Sequence, residues 1–117
     1  MLILVVDDDA AVRRIARAAL EGAGYEVLEA EGGEAALREL REHVPTPQIL
    51  LTDIVMPGMN GLTLAALVHR QVPGIRVIFM SGFVDDYRVE LTGSVCLRKP
   101  FTIAQLLATV RGAETAC

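Results

Sequence analysis

The chain of 117 residues contains no tryptophan and only five aromatic side chains, two tyrosines and three phenylalanines. Its core must therefore be aliphatic, built from the Val, Leu, Ile and Ala that fill buried parallel strands and helix stripes. Cysteine is nearly absent as well. Cys96 and Cys117 are too few for a disulfide framework and lack any paired metal-ligand spacing, so both read as reduced thiols. No apolar run approaches the roughly 18 residues needed to cross a bilayer, and the first one, Met1 to Val6, stops at three aspartates. No basic segment precedes that run to make a secretory signal, so the cytoplasm is the expected compartment. Positive charge is also short. Eleven Lys and Arg against fifteen Asp and Glu leave a formal net charge of −4, with no electrostatic footprint for direct nucleic-acid binding. What the chain does have is apolar content: 52% of its residues are hydrophobic, which excludes disorder as the dominant state and suffices for one domain over 1–117.

Periodicity divides the chain into alternating strands and helices. Met1 to Val6 is a continuous apolar run of strand length that ends at Asp7-Asp8-Asp9. Val12, Ile15, Ala16, Ala19 and Leu20 then recur at three- and four-residue steps, with Arg13, Arg14 and Arg17 on the other, solvated face and Gly22 and Gly24 as the stop. Tyr25 to Ala30 reads as a more polar edge strand. Gly32-Gly33 is a turn and helix start, and Ala36, Leu37 and Leu40 form the stripe of a second helix closed by Val44-Pro45-Thr46-Pro47. A third strand, Gln48 to Thr52, leads to Asp53 and a loop from Met56 to Gly61. Leu64, Leu67 and Val68 mark the next helix, and Ile75 to Met80 is a strand that meets Ser81-Gly82. A short helix is expected within Val84 to Leu91 and a fifth strand from Ser94 to Arg98. After Lys99-Pro100, the spacing Thr102-Ile103-Ala104-Gln105 is a capping box opening a helix that carries Leu106, Leu107 and Val110.

Such alternation with short connections gives an α/β fold, a doubly wound parallel sheet with helices on both faces, whose chemistry lies at the carboxyl ends of the strands. Five polar residues occupy that edge: Asp7 and Asp8 after the first strand, Asp53 after the third, Ser81 after the fourth and Lys99 after the fifth. Each alone has an ordinary explanation, since aspartates cap helices, Ser-Gly makes turns and a lysine before proline is commonly solvated. Together, three converging carboxylates repel one another and call for a hard divalent cation with oxygen ligands, Mg2+ being the natural one. A carboxylate beside such an ion can attack a phosphoryl group, while an ammonium and a hydroxyl offset charge on its oxygens.

These motifs resemble the receiver domain of two-component response regulators. The resemblance is carried by Asp7-Asp8 after Ile3-Leu4-Val5-Val6, by Asp53 followed by Met56-Pro57-Gly58-Met59-Asn60-Gly61, by Ser81-Gly82 and by Lys99-Pro100-Phe101, and it spans nearly the whole chain. It implies a five-stranded, flavodoxin-like sheet in the order 2-1-3-4-5. Asp53 would be the phosphoacceptor, served by a sensor histidine kinase or histidine phosphotransfer protein. Asp8 and Asp53 would bind Mg2+ directly, Asp7 through water, and the backbone carbonyl of Val55 would complete the protein ligands. Ser81 would be the switch hydroxyl, Lys99 the cation on the phosphoryl oxygens, and Lys99-Pro100 a cis peptide. The chain would be a switch rather than an enzyme, catalysing only its own phosphorylation and slow dephosphorylation, and it would signal by binding a downstream protein without inserting into a membrane. A receiver cut from a hybrid histidine kinase or larger regulator would look the same.

Two departures stand out. Where receivers carry Tyr or Phe three positions before the lysine, this chain has Cys96, and only 17 residues separate Ser81 from Lys99, which shortens the region of the fourth helix. Both changes lie on the usual output surface, so an atypical partner face is expected. A remote alternative, a haloacid-dehalogenase-like phosphatase, would use Asp7 and Asp9, but Ala11 stands where Thr or Val belongs and Asp85-Asp86 precedes the lysine instead of following it. Val55 and Phe83, two residues after Asp53 and Ser81, are apolar and offer nothing to orient water against an acyl phosphate. Phosphoryl loss from purified phosphoprotein in Mg2+ should therefore be slow, and Val55→Asn should accelerate it severalfold. Decay complete within seconds and unaltered by Val55→Asn would refute this.

Overall fold

A computed structural model describes residues 1–82 and 95–115. In chain order the elements are β1 (Leu2–Val6), α1 (Ala10–Gly22), β2 (Glu26–Ala30), α2 (Gly33–Glu42), β3 (Ile49–Asp53), α3 (Gly61–Gln71), β4 (Arg76–Ser81), β5 (Val95–Arg98) and α4 (Ile103–Thr115). All strand pairs are parallel and the sheet order is β2-β1-β3-β4-β5. The expected order 2-1-3-4-5 is thus observed. Because β2 and β3 leave β1 on opposite sides, the chain reverses direction across the sheet at β1, and the carboxyl ends of β1 and β3 open into a crevice there.

Aliphatic alternation decides which helix covers which face. Successive strand side chains point to opposite sides. Leu4, Val6, Leu50 and Phe79 meet Ala36 and Leu40 of α2 and Leu64, Ala65 and Val68 of α3. Ile3, Val5, Ile49, Leu51, Ile78 and Met80 meet Ala16 and Leu20 of α1 and Leu106, Val110 and Ala113 of α4. Every residue of β1 and β3 is buried, as central strands sandwiched between helices require. Each fully buried aliphatic side chain contributes about 1.5–3 kcal/mol through removal from water, so this double core supplies the main favourable term. Among the described residues, no helix is long and apolar enough to cross a membrane.

Caps fix where the helices begin. Asp9 accepts from Ala11 N at 2.9 Å ahead of α1, and Asn60 accepts from Thr63 N at 2.9 Å ahead of α3. At α4 the capping box closes in both directions, Gln105 N to Thr102 Oγ1 at 3.0 Å and Thr102 N to Gln105 Oε1 at 2.8 Å. Gly61 meets a tighter constraint, since a Cβ there would lie 2.1 Å from the carbonyl oxygen of Asp53. Only glycine lets α3 start against the end of β3.

Some expectations need correction. β1 starts at Leu2 rather than Met1, β2 at Glu26 rather than Tyr25, and β3 is Ile49–Asp53 rather than Gln48–Thr52; β4 starts at Arg76 rather than Ile75 and extends through Ser81, which pairs in register with Arg98 and so belongs to the strand. Ile15 was grouped with the buried stripe of α1 but is 56% exposed. Neighbouring helix positions are about 100° apart, and the stripe of Ala16 and Leu20 turns Ile15 to the rim. The helix expected within 84–91, the residue Phe83 and the expected strand start at Ser94 lie outside the described residues.

Candidate functional site

Each site residue sits where an apolar strand runs out. Asp7 follows β1 and is buried, and its backbone N donates to Ala30 O of β2 at 3.2 Å. Its Oδ1 accepts from Asp9 N at 2.9 Å, which closes the turn into α1. Asp53 is the last residue of β3 and is 8% exposed. The following loop is pinned by Ile54 N donating to Met80 O at 3.2 Å and by Gly61 N donating to Ile54 O at 2.8 Å. Between buried Ile54 and Met56, the Val55 side chain is 61% exposed. Ser81 is fully buried, and its carbonyl accepts from Lys99 N at 2.8 Å, joining the ends of β4 and β5. Lys99-Pro100 is a cis peptide, as is Val44-Pro45.

The fold brings together residues that are up to 92 positions apart in sequence. Lys99 Nζ donates to Asp7 Oδ2 at 2.7 Å and lies 3.4 Å from Asp53 Oδ2. Asp7, Asp8 and Asp53 each present a carboxylate oxygen, all within 4.8 Å of one another. Three carboxylates and one ammonium leave a formal local charge of −2, and the donors are all hard oxygens. Charge and donor type thus fit a divalent cation of the Mg2+ class. The Ser81 Oγ lies 3.2 Å from Cys96 Sγ. Asp9 instead caps α1, which removes the second carboxylate of the phosphatase alternative.

Burial dominates the electrostatics of Asp53. Loss of water raises its pKa above the usual carboxylate range, the charge on Asp7 pushes further in that direction, and Lys99 with the Ile54 amide offsets part of the rise. Burial acts on Lys99 in the opposite sense, but the hydrogen bond and charge of Asp7, joined by Asp53, outweigh it and hold the ammonium above its ordinary pKa.

Local periodicity missed a second ring of contacts. Arg13 is not part of a solvated face: its Nη1 donates to the Asp7 carbonyl at 2.6 Å and its Nε to Glu29 Oε1 at 3.2 Å. Arg17 joins it, with Nη1 3.0 Å from Glu29 Oε2 and Nε 3.2 Å from Glu21 Oε2. The only sequence signal was Glu29, a charge one residue before the end of β2 and next to the polar end of β1.

A profile of the response regulator receiver domain matches residues 3–111. The chain belongs to the response regulator receiver family. It is 41% identical over 110 residues to the response regulator receiver protein CpdR of Brucella abortus, covering 90% of this chain and 89% of that one. It is 37% identical over 113 residues to the sensor kinase CckA of the same organism, covering 93% of this chain but spanning only 12% of the kinase. A receiver domain from Clostridium thermocellum superposes with a TM-score of 0.87 at 29% identity, over 96% of this chain and 92% of the other. The chain is thus a receiver of two-component signalling, a phosphorelay switch and not a conventional enzyme. This membership displaces the phosphatase alternative.

The raised pKa of Asp53 has a consequence for stability. A carboxyl that binds its proton more tightly when folded loses stabilising effect as pH rises from the ordinary carboxylate range through its raised value, and the penalty is fully present above that. Asp53→Asn should therefore raise the metal-free unfolding temperature by a few degrees at about pH 7, with the gain shrinking toward about pH 4. Added Mg2+ should stabilise the parent more than the variant. Thermal unfolding followed by circular dichroism at both pH values checks both statements.

Proposed function

We propose that Asp53 accepts a phosphoryl group from a phosphohistidine on a sensor kinase or phosphotransfer protein, and that the resulting acyl phosphate switches a protein-binding surface. The observation that carries this is the convergence of Asp7, Asp8, Asp53 and Lys99 from three strand ends within ion-pair and ligand distance. Asp53 attacks phosphorus, the phosphorus–nitrogen bond to the imidazole breaks, and the departing imidazole takes a proton from solvent. Lys99 neutralises charge on the transferred oxygens, and the Ser81 hydroxyl donates to one of them. Asp8 and Asp53, with Asp7 behind them and the carbonyl of Val55, would hold Mg2+. When bound, that ion offsets the charge of the carboxylates and of the phosphoryl oxygens. The cytoplasm, where such donors act, is the proposed compartment.

Labelling with a small acyl phosphate in Mg2+ tests the site directly. Intact mass should show one phosphoryl group per chain, lost with Asp53→Asn and with removal of Mg2+. Sustained turnover of phosphomonoesters, or labelling that survives Asp53→Asn, would refute the assignment.

Docking of the donor is proposed on the α1 rim. Exposed Ile15 lines, with Val12, Pro100 and Phe101, an apolar depression of about 350 Å³ that reaches Lys99. A partner helix seated there would present its phosphohistidine to the strand ends. Ile15→Glu should slow transfer from a phosphohistidine protein by about tenfold, the loss of one apolar anchor, while labelling by a small acyl phosphate proceeds as in the parent. Parallel time courses with the two donors distinguish these outcomes.

A further inference from the structure

Ser81 and Cys96 occupy adjacent strands on one face of the sheet. Cys96 pairs in register with Phe79, two residues before Ser81, so period-two alternation places the Cys96 and Ser81 side chains on the same side. Cys96 is partly buried against the core that α2 and α3 cover, whereas Ser81 is fully buried. The two side chains approach to 3.2 Å, Oγ to Sγ, within hydrogen-bonding distance for sulfur, and either atom can donate.

The geometry points to Cys96 as a positioning residue for Ser81. In the unphosphorylated protein the thiol holds the hydroxyl, and on phosphorylation of Asp53 the hydroxyl exchanges the thiol for a phosphoryl oxygen. This role rests on those proposed above for Asp53 and Ser81. The direction of exchange follows from the strengths of the competing partners. A neutral thiol is a weak hydrogen-bond partner, whereas bonds to ionised oxygens are roughly twice as strong as neutral ones. The hydroxyl therefore stays with sulfur until a phosphoryl oxygen is within reach, and then leaves it. Cysteine has one side-chain torsion and no ring to swing, so the change delivered to β5 is the loss of a bond at Sγ.

Thiol chemistry reads that loss. In a Cys117→Ser background Cys96 is the sole cysteine, and its alkylation by iodoacetamide can be timed by intact mass before and after labelling with acetyl phosphate and Mg2+. Phosphorylation should raise the alkylation rate about threefold to tenfold, the scale of one modest hydrogen bond. Ser81→Ala should raise it to a similar extent without phosphate and abolish the further response. A phosphoryl mass increment with an unchanged alkylation rate, or a response that persists in Ser81→Ala, overturns the exchange while leaving Asp53 as acceptor. Absence of the increment overturns the acceptor assignment and the exchange with it.

Discussion

Three carboxylates within 4.8 Å of one another at a largely buried sheet edge repel, and the surrounding structure is arranged to hold that repulsion in place. Lys99 is the principal counterweight, 2.7 Å from Asp7 and 3.4 Å from Asp53. Its ammonium is itself desolvated, and it stays charged because it faces two carboxylates. Neither side of this arrangement is stable without the other, since an unpaired charge in such a position costs several kcal/mol. The strand ends must therefore be rigid, and backbone hydrogen bonds make them so: Asp7 to Ala30 ties β1 to β2, Ile54 to Met80 and Lys99 to Ser81 tie β3, β4 and β5, and the ladder between β1 and β3 joins the two groups.

Arg13 extends the same constraint outward. By donating to the Asp7 carbonyl while pairing with Glu29, it links the first turn of α1 to the edge strand β2 and fixes the backbone from which Asp7 and Asp8 project. The Arg17 pairs are more exposed, and exposed pairs contribute at most about 1 kcal/mol, so their effect is on geometry more than on stability. Gly61 does the corresponding work at β3, admitting the start of α3 directly beneath the Asp53 carbonyl.

Sequence periodicity made the sheet, its helices and the strand-end polar residues legible, because each of those signals is local. Val6 to Asp7 and Thr52 to Asp53 are visible as an apolar run meeting a carboxylate, and the Thr102–Gln105 box is visible as a spacing. Arg13 was not legible in this way. On α1 alone its charge makes it look solvated although it lies three and seven residues from Ala16 and Leu20, beside the buried stripe; only the parallel pairing of β2 beside β1 brings Glu29 to it. Ile15 fails for the complementary reason, since an apolar residue at a helical step looks buried until the width of the covered face is known. Gly61 likewise reads as part of a turn, and its steric role appears only once α3 is packed against β3.

The same distinction bears on how the switch reaches the surface. Two of the contacts Ser81 makes link it to β5 and the residue that follows it, its carbonyl to Lys99 N and its hydroxyl to Cys96. The first contact is fixed by strand pairing and cannot respond without disrupting the sheet. The second is a side-chain bond between two small groups and can be exchanged at little cost. A signal that must leave a rigid, mutually constrained site therefore has its cheapest exit at the hydroxyl. With no aromatic ring at position 96 to amplify the movement, the output under the proposed exchange depends on how the β5 edge responds to a thiol that has changed partners.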